Sequence, residues 1–145
     1  MANLTAARQS QFVMEAEFVF SIGDTMTNTS GAEDNFHTVA AHIFDVINLP
    51  PNAIVVGGEV VTETAVTGST AYNITVGDSG VANRYLGTTD RTAAGRTALV
   101  PTGFVSDGEN LRLTVTPTVA ASTAGKISVK VMYIQRGRAN ENVTS

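Results

Sequence analysis

Residues 12–22 read Phe12-Val13-Met14-Glu15-Ala16-Glu17-Phe18-Val19-Phe20-Ser21-Ile22. Phe12, Met14, Ala16, Phe18, Phe20 and Ile22 take alternate positions, and Val13, Glu15, Glu17, Val19 and Ser21 take the others. Period two over eleven residues puts the three phenylalanines, Met14 and Ile22 on one face of an extended chain, which is the pattern of a half-buried strand. Glu15 and Glu17 share the opposite face. Paired carboxylates can work on sugars as acid and base, but beside an apolar face they read as solvent-facing groups.

The same period recurs downstream. Strands are predicted over 38–49, closed by Pro50-Pro51, and over 53–66, where Gly57-Gly58 marks a bulge or bend. Further strands are predicted over 72–76, over 98–105 with Pro101 as an edge or bulged element, over 111–116 and over 127–133. Residues 23–36 hold turn formers and predict a long exposed loop. Short strands with turn signals about every ten residues predict an all-β protein. The expected architecture is a jelly roll or β-sandwich of about eight strands.

Residues 78–97 differ. Asp78 is placed to cap a helical turn through Val81, Ala82 and Arg84, and Asp90 to Gly95 to form a second turn closed by Gly95. The expectation is a short helical or irregular crossover. Arg84, Arg91 and Arg96 lie in it, a third of the nine basic residues, and this makes it the candidate contact region. Arginine forks onto carboxylates equally well within a chain and between chains. Local pairing with Asp78 and Asp90 and intermolecular contact therefore both stand open. The domain plan is an arm over 1–11, a sandwich over 12–138 and a polar tail over 139–145.

The chain has 145 residues and no cysteine, which excludes disulfide frameworks, thiol catalysis and zinc ribbons. Only 15% of residues are charged and the net charge is −4, so the basic footprint of a nucleic-acid binder is missing. No run approaches the ~20 apolar residues of a membrane helix, and the N-terminus lacks a signal-peptide core. Synthesis in a cytoplasm is expected, with no membrane and no nucleic acid as partner.

Screening for chemistry yields no enzyme and no cofactor. Gly77-Asp78-Ser79-Gly80 is similar to the nucleophile loop of chymotrypsin-like proteases, with His37 or His42 and Asp45 upstream. The chain is too short for the two barrels that build that site, and Val81 stands where another glycine is needed. His37 and His42 are expected on opposite faces of one strand, unable to share an ion. Asp24, Glu33 and Asp34 share a loop without the spacing of a calcium loop. Gly125-Lys126 lacks the glycine of a phosphate cradle.

Several segments in order carry a resemblance. They are Leu49-Pro50-Pro51-Asn52-Ala53-Ile54-Val55-Val56-Gly57-Gly58, Gly77-Asp78, Asn83-Arg84-Tyr85, Ala93-Ala94-Gly95, Thr123-Ala124-Gly125 and Val131-Met132-Tyr133-Ile134-Gln135-Arg136-Gly137-Arg138. Across 45–138 the arrangement resembles capsid decoration (cement) proteins of tailed bacteriophages, which have a jelly-roll core. The resemblance implies a non-enzymatic virion protein on the outer surface of an icosahedral head. Its implied partners are the major capsid protein and further copies of itself, as a trimer in preference to a dimer. The expected contacts are Arg84, Tyr85, Arg91 and Arg96 in the crossover and Leu4 and Arg8 in the arm. Other readings are a carbohydrate-binding jelly-roll module, a head-fibre or tail component, and a hydrolase built on Ser79. The first lacks tryptophan and has only Tyr72, Tyr85 and Tyr133 to stack on sugars.

Overall fold

The computed structural model describes residues 13–135. Eleven strands run in this span: β1 Met14–Ser21, β2 Thr25–Thr27, β3 Glu33–Asn35, β4 His42–Ile47, β5 Pro51–Thr67, β6 Ala71–Gly77, β7 Leu86–Asp90, β8 Gly95–Ala98, β9 Val105–Asp107, β10 Leu111–Thr118 and β11 Ala124–Gln135. One sheet has the order β1-β11-β5-β8, with β9 also on β5, and the other has the order β4-β10-β6-β7. A hairpin of β2 and β3 stands apart, and all the pairings are antiparallel. The two sheets form a sandwich, as the alternating sequence predicts.

The alternation sets which side chains the core receives. In β10, Leu111, Leu113, Val115 and Pro117 are buried while Arg112, Thr114 and Thr116 are half-buried on the other face. In β1, Phe20 is buried and Glu15 and Glu17 are exposed. The core joins Val60, Val129 and Val131 from one sheet to Phe44, Tyr72, Ile74 and Leu113 from the other. Fully burying each such side chain is worth roughly 1.5–3 kcal/mol. Phe20, Phe36 and Phe44 stack in a row with 4.4 Å between successive ring centroids. Tyr72 is fully enclosed, and its hydroxyl donates to the Phe36 carbonyl at 2.8 Å. Burial pushes the Tyr72 phenol far above its ordinary range.

The glycine pair does distort β5. Gly57 pairs with Met132 and Val55 pairs with Tyr133, so Val56 is the extra residue of a bulge. Gly58 has φ +139, and a Cβ there would lie 2.2 Å from the Lys130 carbonyl oxygen. Only glycine allows β11 to come so close.

Four expectations need correction. Residues 23–36 are not all loop, because the β2–β3 hairpin forms inside them with Asn28 Oδ1 accepting the Ser30 and Ala32 amides at its turn. The predicted strand over 38–49 starts only at His42, because Asn35 Oδ1 accepts the amides of His37 and Thr38 and holds the chain in a bend. The predicted strand over 98–105 is interrupted: β8 ends at Ala98 and β9 begins at Val105, with Pro101 and a positive-φ Gly103 between them. No helical turn forms over 78–97 among the described residues. The Tyr85 amide donates to Val76 across a strand pair, which draws 86–90 into β7 instead. Pro117 sits within β10 because β4 already ends its pairing at Val115, leaving no ladder bond for it to donate there.

Candidate contact region

The loop from Asp78 to Arg84 joins β6 to β7 at one end of the sandwich. Asp78 is 3% exposed. Its Oδ1 accepts the Gly80 amide at 2.9 Å and the Val81 amide at 2.8 Å, which closes a turn by a local side-chain bond rather than a helix cap. Val81 returns its carbonyl to the Asp78 and Arg84 amides. That carbonyl lies 2.2 Å from where a Cβ on Gly77 would stand, so the turn is built on a bare glycine. Arg84 forks onto Asp78, with Nε donating to Oδ2 and Nη2 to Oδ1. Burial pushes the Asp78 carboxyl up, but Arg84 and the Val81 and Gly80 amides outweigh it and hold it below the usual carboxylate range. The carboxylate in turn keeps the Arg84 guanidinium firmly charged.

The crossover from β7 to β8 carries the chain from one sheet to the other at the opposite end. Arg91 is 7% exposed. Its backbone is fixed on both sides, its amide donating to Tyr72 and its carbonyl accepting from Val66. Its Nη2 donates to Thr97 Oγ1 at 2.7 Å and its Nε to the Asp90 carbonyl at 3.1 Å. Burial pushes the Arg91 guanidinium down. The Asp90 carboxylate caps the amides of Tyr72 and Thr92 and does not fork onto Arg91. Arg96 lies on the outer face of β8, 72% exposed, with its Nε 2.7 Å from Glu59 Oε2.

The three arginines therefore do not gather into one patch. β7 separates Arg84 from Arg91 by five strand residues, or about 17 Å of extended chain. Tyr85 is 2% exposed and packs in the core, and Arg91 is buried as well, so both brace the fold and neither presents its side chain to a partner. Arg84 is half-buried and Arg96 is exposed, so these two keep an outward aspect. Leu4 and Arg8 lie outside the described residues. The most exposed large apolar side chains are Val119 at 80% and Val100 at 63%, which sequence reading did not single out. Val100 lies in the loop after β8 and Val119 follows β10 at a positive φ, so neither belongs to a strand whose alternation could flag it.

The other candidate chemistry is dispersed. Ser79 is exposed. His42 Nδ1 lies 2.9 Å from Asp34 Oδ1 and its Nε2 lies 2.9 Å from the Thr38 carbonyl. Asp45 accepts Arg112 Nε at 2.9 Å. His42 and Asp45 of the protease-like reading are thus committed to separate partners. His37 precedes β4, so strand alternation is not what separates the two histidines. Asp24 Oδ2 accepts the Ser21 amide at 2.8 Å, while Asp34 turns to His42, so the acidic residues of this region do not converge. Burial raises the Asp34 carboxyl, but the bonds from His42, Asn35 and Asn28 outweigh it and hold it low. Tyr72 and Tyr85 are core residues and Tyr133 is half-buried.

The fold itself has close counterparts. No family model and no curated protein matches the sequence. Among solved structures, a chain of the cyanophage Pam1 capsid asymmetric unit superposes with a TM-score of 0.62 at 22% identity, over 92% of this chain and 94% of that one. A chain of the Ralstonia phage GP4 capsid gives 0.58 at 15% identity, over 93% and 91%. A chain of the acid-stable capsid of Helicobacter pylori bacteriophage KHP30 gives 0.52 at 14% identity, over 83% and 92%. The class defined by the sheets is the two-sheet antiparallel sandwich, and this particular form of it is the one found in those three capsid chains.

Proposed function

We propose that this chain is a structural, non-enzymatic protein of a tailed-bacteriophage head. In this reading it is a decoration protein that sits on the outer surface of the icosahedral shell, joins neighbouring major capsid subunits and assembles with copies of itself. The observation that carries the reading is the matched extent of the fold: 92% of this chain against 94% of the cyanophage capsid chain. A match that leaves almost nothing over on either side supports a shared architectural role, although fold alone never dictates function. The scattering of Ser79, His42 and Asp45 supports a role without catalysis.

The outward groups supply the contact chemistry. Arg96 and Glu59 form an exposed pair on one outer face, and the Asp78–Arg84 loop offers a rigid, charged corner at one end. Each contact is small, and many copies on one lattice give avidity. The trimer remains the preferred oligomer in this reading.

The test is binding to shells. The purified protein is mixed with shells assembled from the major capsid protein of the phage whose genome carries the gene, and sedimented with them. Saturable co-sedimentation of a folded, oligomeric protein supports the reading. Shells that pellet without it at saturating concentration refute it.

A further inference from the structure

The outer face of the β1-β11-β5-β8 sheet carries its charges in rows. Alternation sends Val129 and Val131 of β11 to the core and leaves Lys126, Lys130 and Met132 on the other side. Across the strands, one row runs Glu17, Lys130, Glu59, Ala98. The next runs Val19, Ser128, Val61, Arg96. Beyond it Lys126 of β11 meets Glu63 of β5 at 3.4 Å. Lys130 has an acid on each side in its row, yet it closes an ion pair with neither among the described residues. Arg96 takes only Oε2 of Glu59, so Oε1 accepts no side chain there. Val19 is 42% exposed and Met132 40%, so the same face keeps two large apolar side chains uncovered.

This face is complementary to itself under one operation. Two copies are set face to face and related by a two-fold axis that runs along the strands, over the line between β11 and β5. The rotation keeps every row at its own level and exchanges left for right, so β11 of one copy lies over β5 of the other. Lys130 then meets the other copy's Glu59, and Glu59 its Lys130. One row away Ser128 meets Val61, and at the third Lys126 meets Glu63. β1 and β8 form the rim, where Glu17 meets the uncharged Ala98. No like charges come together in these rows. A two-fold axis across the strands at the Lys130 row would instead set Lys130 on Lys130 and Glu59 on Glu59. Sheets pack face to face about 10 Å apart with strands aligned within roughly 30°, a gap that a lysine and a glutamate side chain close between them.

We infer that the outer face of the β1-β11-β5-β8 sheet binds the same face of a second copy about this two-fold axis, with Lys130 against Glu59 and Lys126 against Glu63 across the contact. This deepens the proposed function and rests on its reading that copies of the chain assemble. A trimer built on another surface is joined to a second trimer by the same contact. Shell binding is not involved, so the inference is tested without shells.

The experiment is a charge exchange read by sedimentation velocity of the full chain. The parent should form an assembly of even copy number. Lys130→Glu sets acid on acid across the axis and Glu59→Lys sets base on base, and each should weaken pairing by about tenfold or more. An equal mixture of the two variants restores opposite charges at both crossings, so it should assemble like the parent although neither variant does so alone. Lys126→Glu mixed with Glu63→Lys repeats the test at the outer row, on exposed side chains, and decides the matter where a first variant fails to fold. Three results overturn the inference: a parent of odd copy number, single variants that pair like the parent, or a mixture that pairs no better than its components. A trimer indifferent to these charges would overturn this contact and leave the proposed function standing. An even-numbered assembly that never binds shells would do the reverse.

Discussion

The guanidinium carbon of Arg84 lies 3.5 Å from the centroid of the Phe104 ring. The same guanidinium is forked onto Asp78, so one side chain ties the loop after β6 to the loop before β9. A cation over an aromatic face gains about 0.5–2 kcal/mol, and the fork holds it there. Arg84→Ala removes both contacts and leaves the Asp78 carboxylate enclosed without its cation. We expect a loss of about 2–3 kcal/mol, somewhat below the ~3–5 kcal/mol of a fully enclosed pair, because Arg84 keeps 18% of its side chain exposed. Urea unfolding at neutral pH measures it.

Acid stability draws on Asp78 and on two carboxylates elsewhere in the fold. Asp78, Asp34 and Asp90 all have carboxyls held below their ordinary value in the folded chain. A group with a depressed folded pKa contributes stability that is fully present above its unfolded value of about 4 and is lost as pH falls through the folded value. The melting temperature should therefore be flat across the carboxylates' ionised range and drop below about pH 4. Asp78→Asn should make that acid limb shallower by removing one of three contributions. An unchanged slope would mean that Asp78 titrates as it does in the unfolded chain.

Tyr72 crosses the core to bond the Phe36 carbonyl from a site with no solvent contact. Tyr72→Phe keeps the ring and strands that carbonyl. Leaving a buried acceptor unmet costs about 1–3 kcal/mol, and a thermal melt of the variant should show the loss with the fold retained by circular dichroism.

Arg96→Ala separates stability from assembly. The pair with Glu59 is exposed on the arginine side, and such pairs contribute about 0–1 kcal/mol. The variant should melt close to the parent. Under the proposed function it should load more weakly on shells, by a larger factor at low salt than at high salt. A variant that loads like the parent at both salts would remove Arg96 from the contact.

The sandwich was legible because β10 alternates strictly and β1 and β11 keep period two apart from Val19 and Met132 on their outer faces, so composition and period largely agree on which face is buried. β2, β3 and β7 were not legible. They are three to five residues long, too short for a period to register, and β7 reads Leu-Gly-Thr-Thr-Asp, which has no strand pattern. Asp78 was read as a helix cap for a sound reason, since its carboxylate does cap the Gly80 and Val81 amides. The turn stops there because Tyr85 is claimed by Val76, a long-range pairing with no local signature. The arginines shared a stretch of sequence, and the topology sends Arg84 and Arg91 to opposite ends. Tyr85 looked like an interface anchor on residue type alone, and only the packing places it in the core.

Cryo-electron microscopy of shells assembled with the full chain tests the central claim most directly. The account predicts added density on the outer surface, fitted by the two-sheet sandwich of residues 13–135 and bridging neighbouring major capsid subunits. Bare shells at saturating protein, or this sandwich found only inside the shell or on the tail, would contradict it.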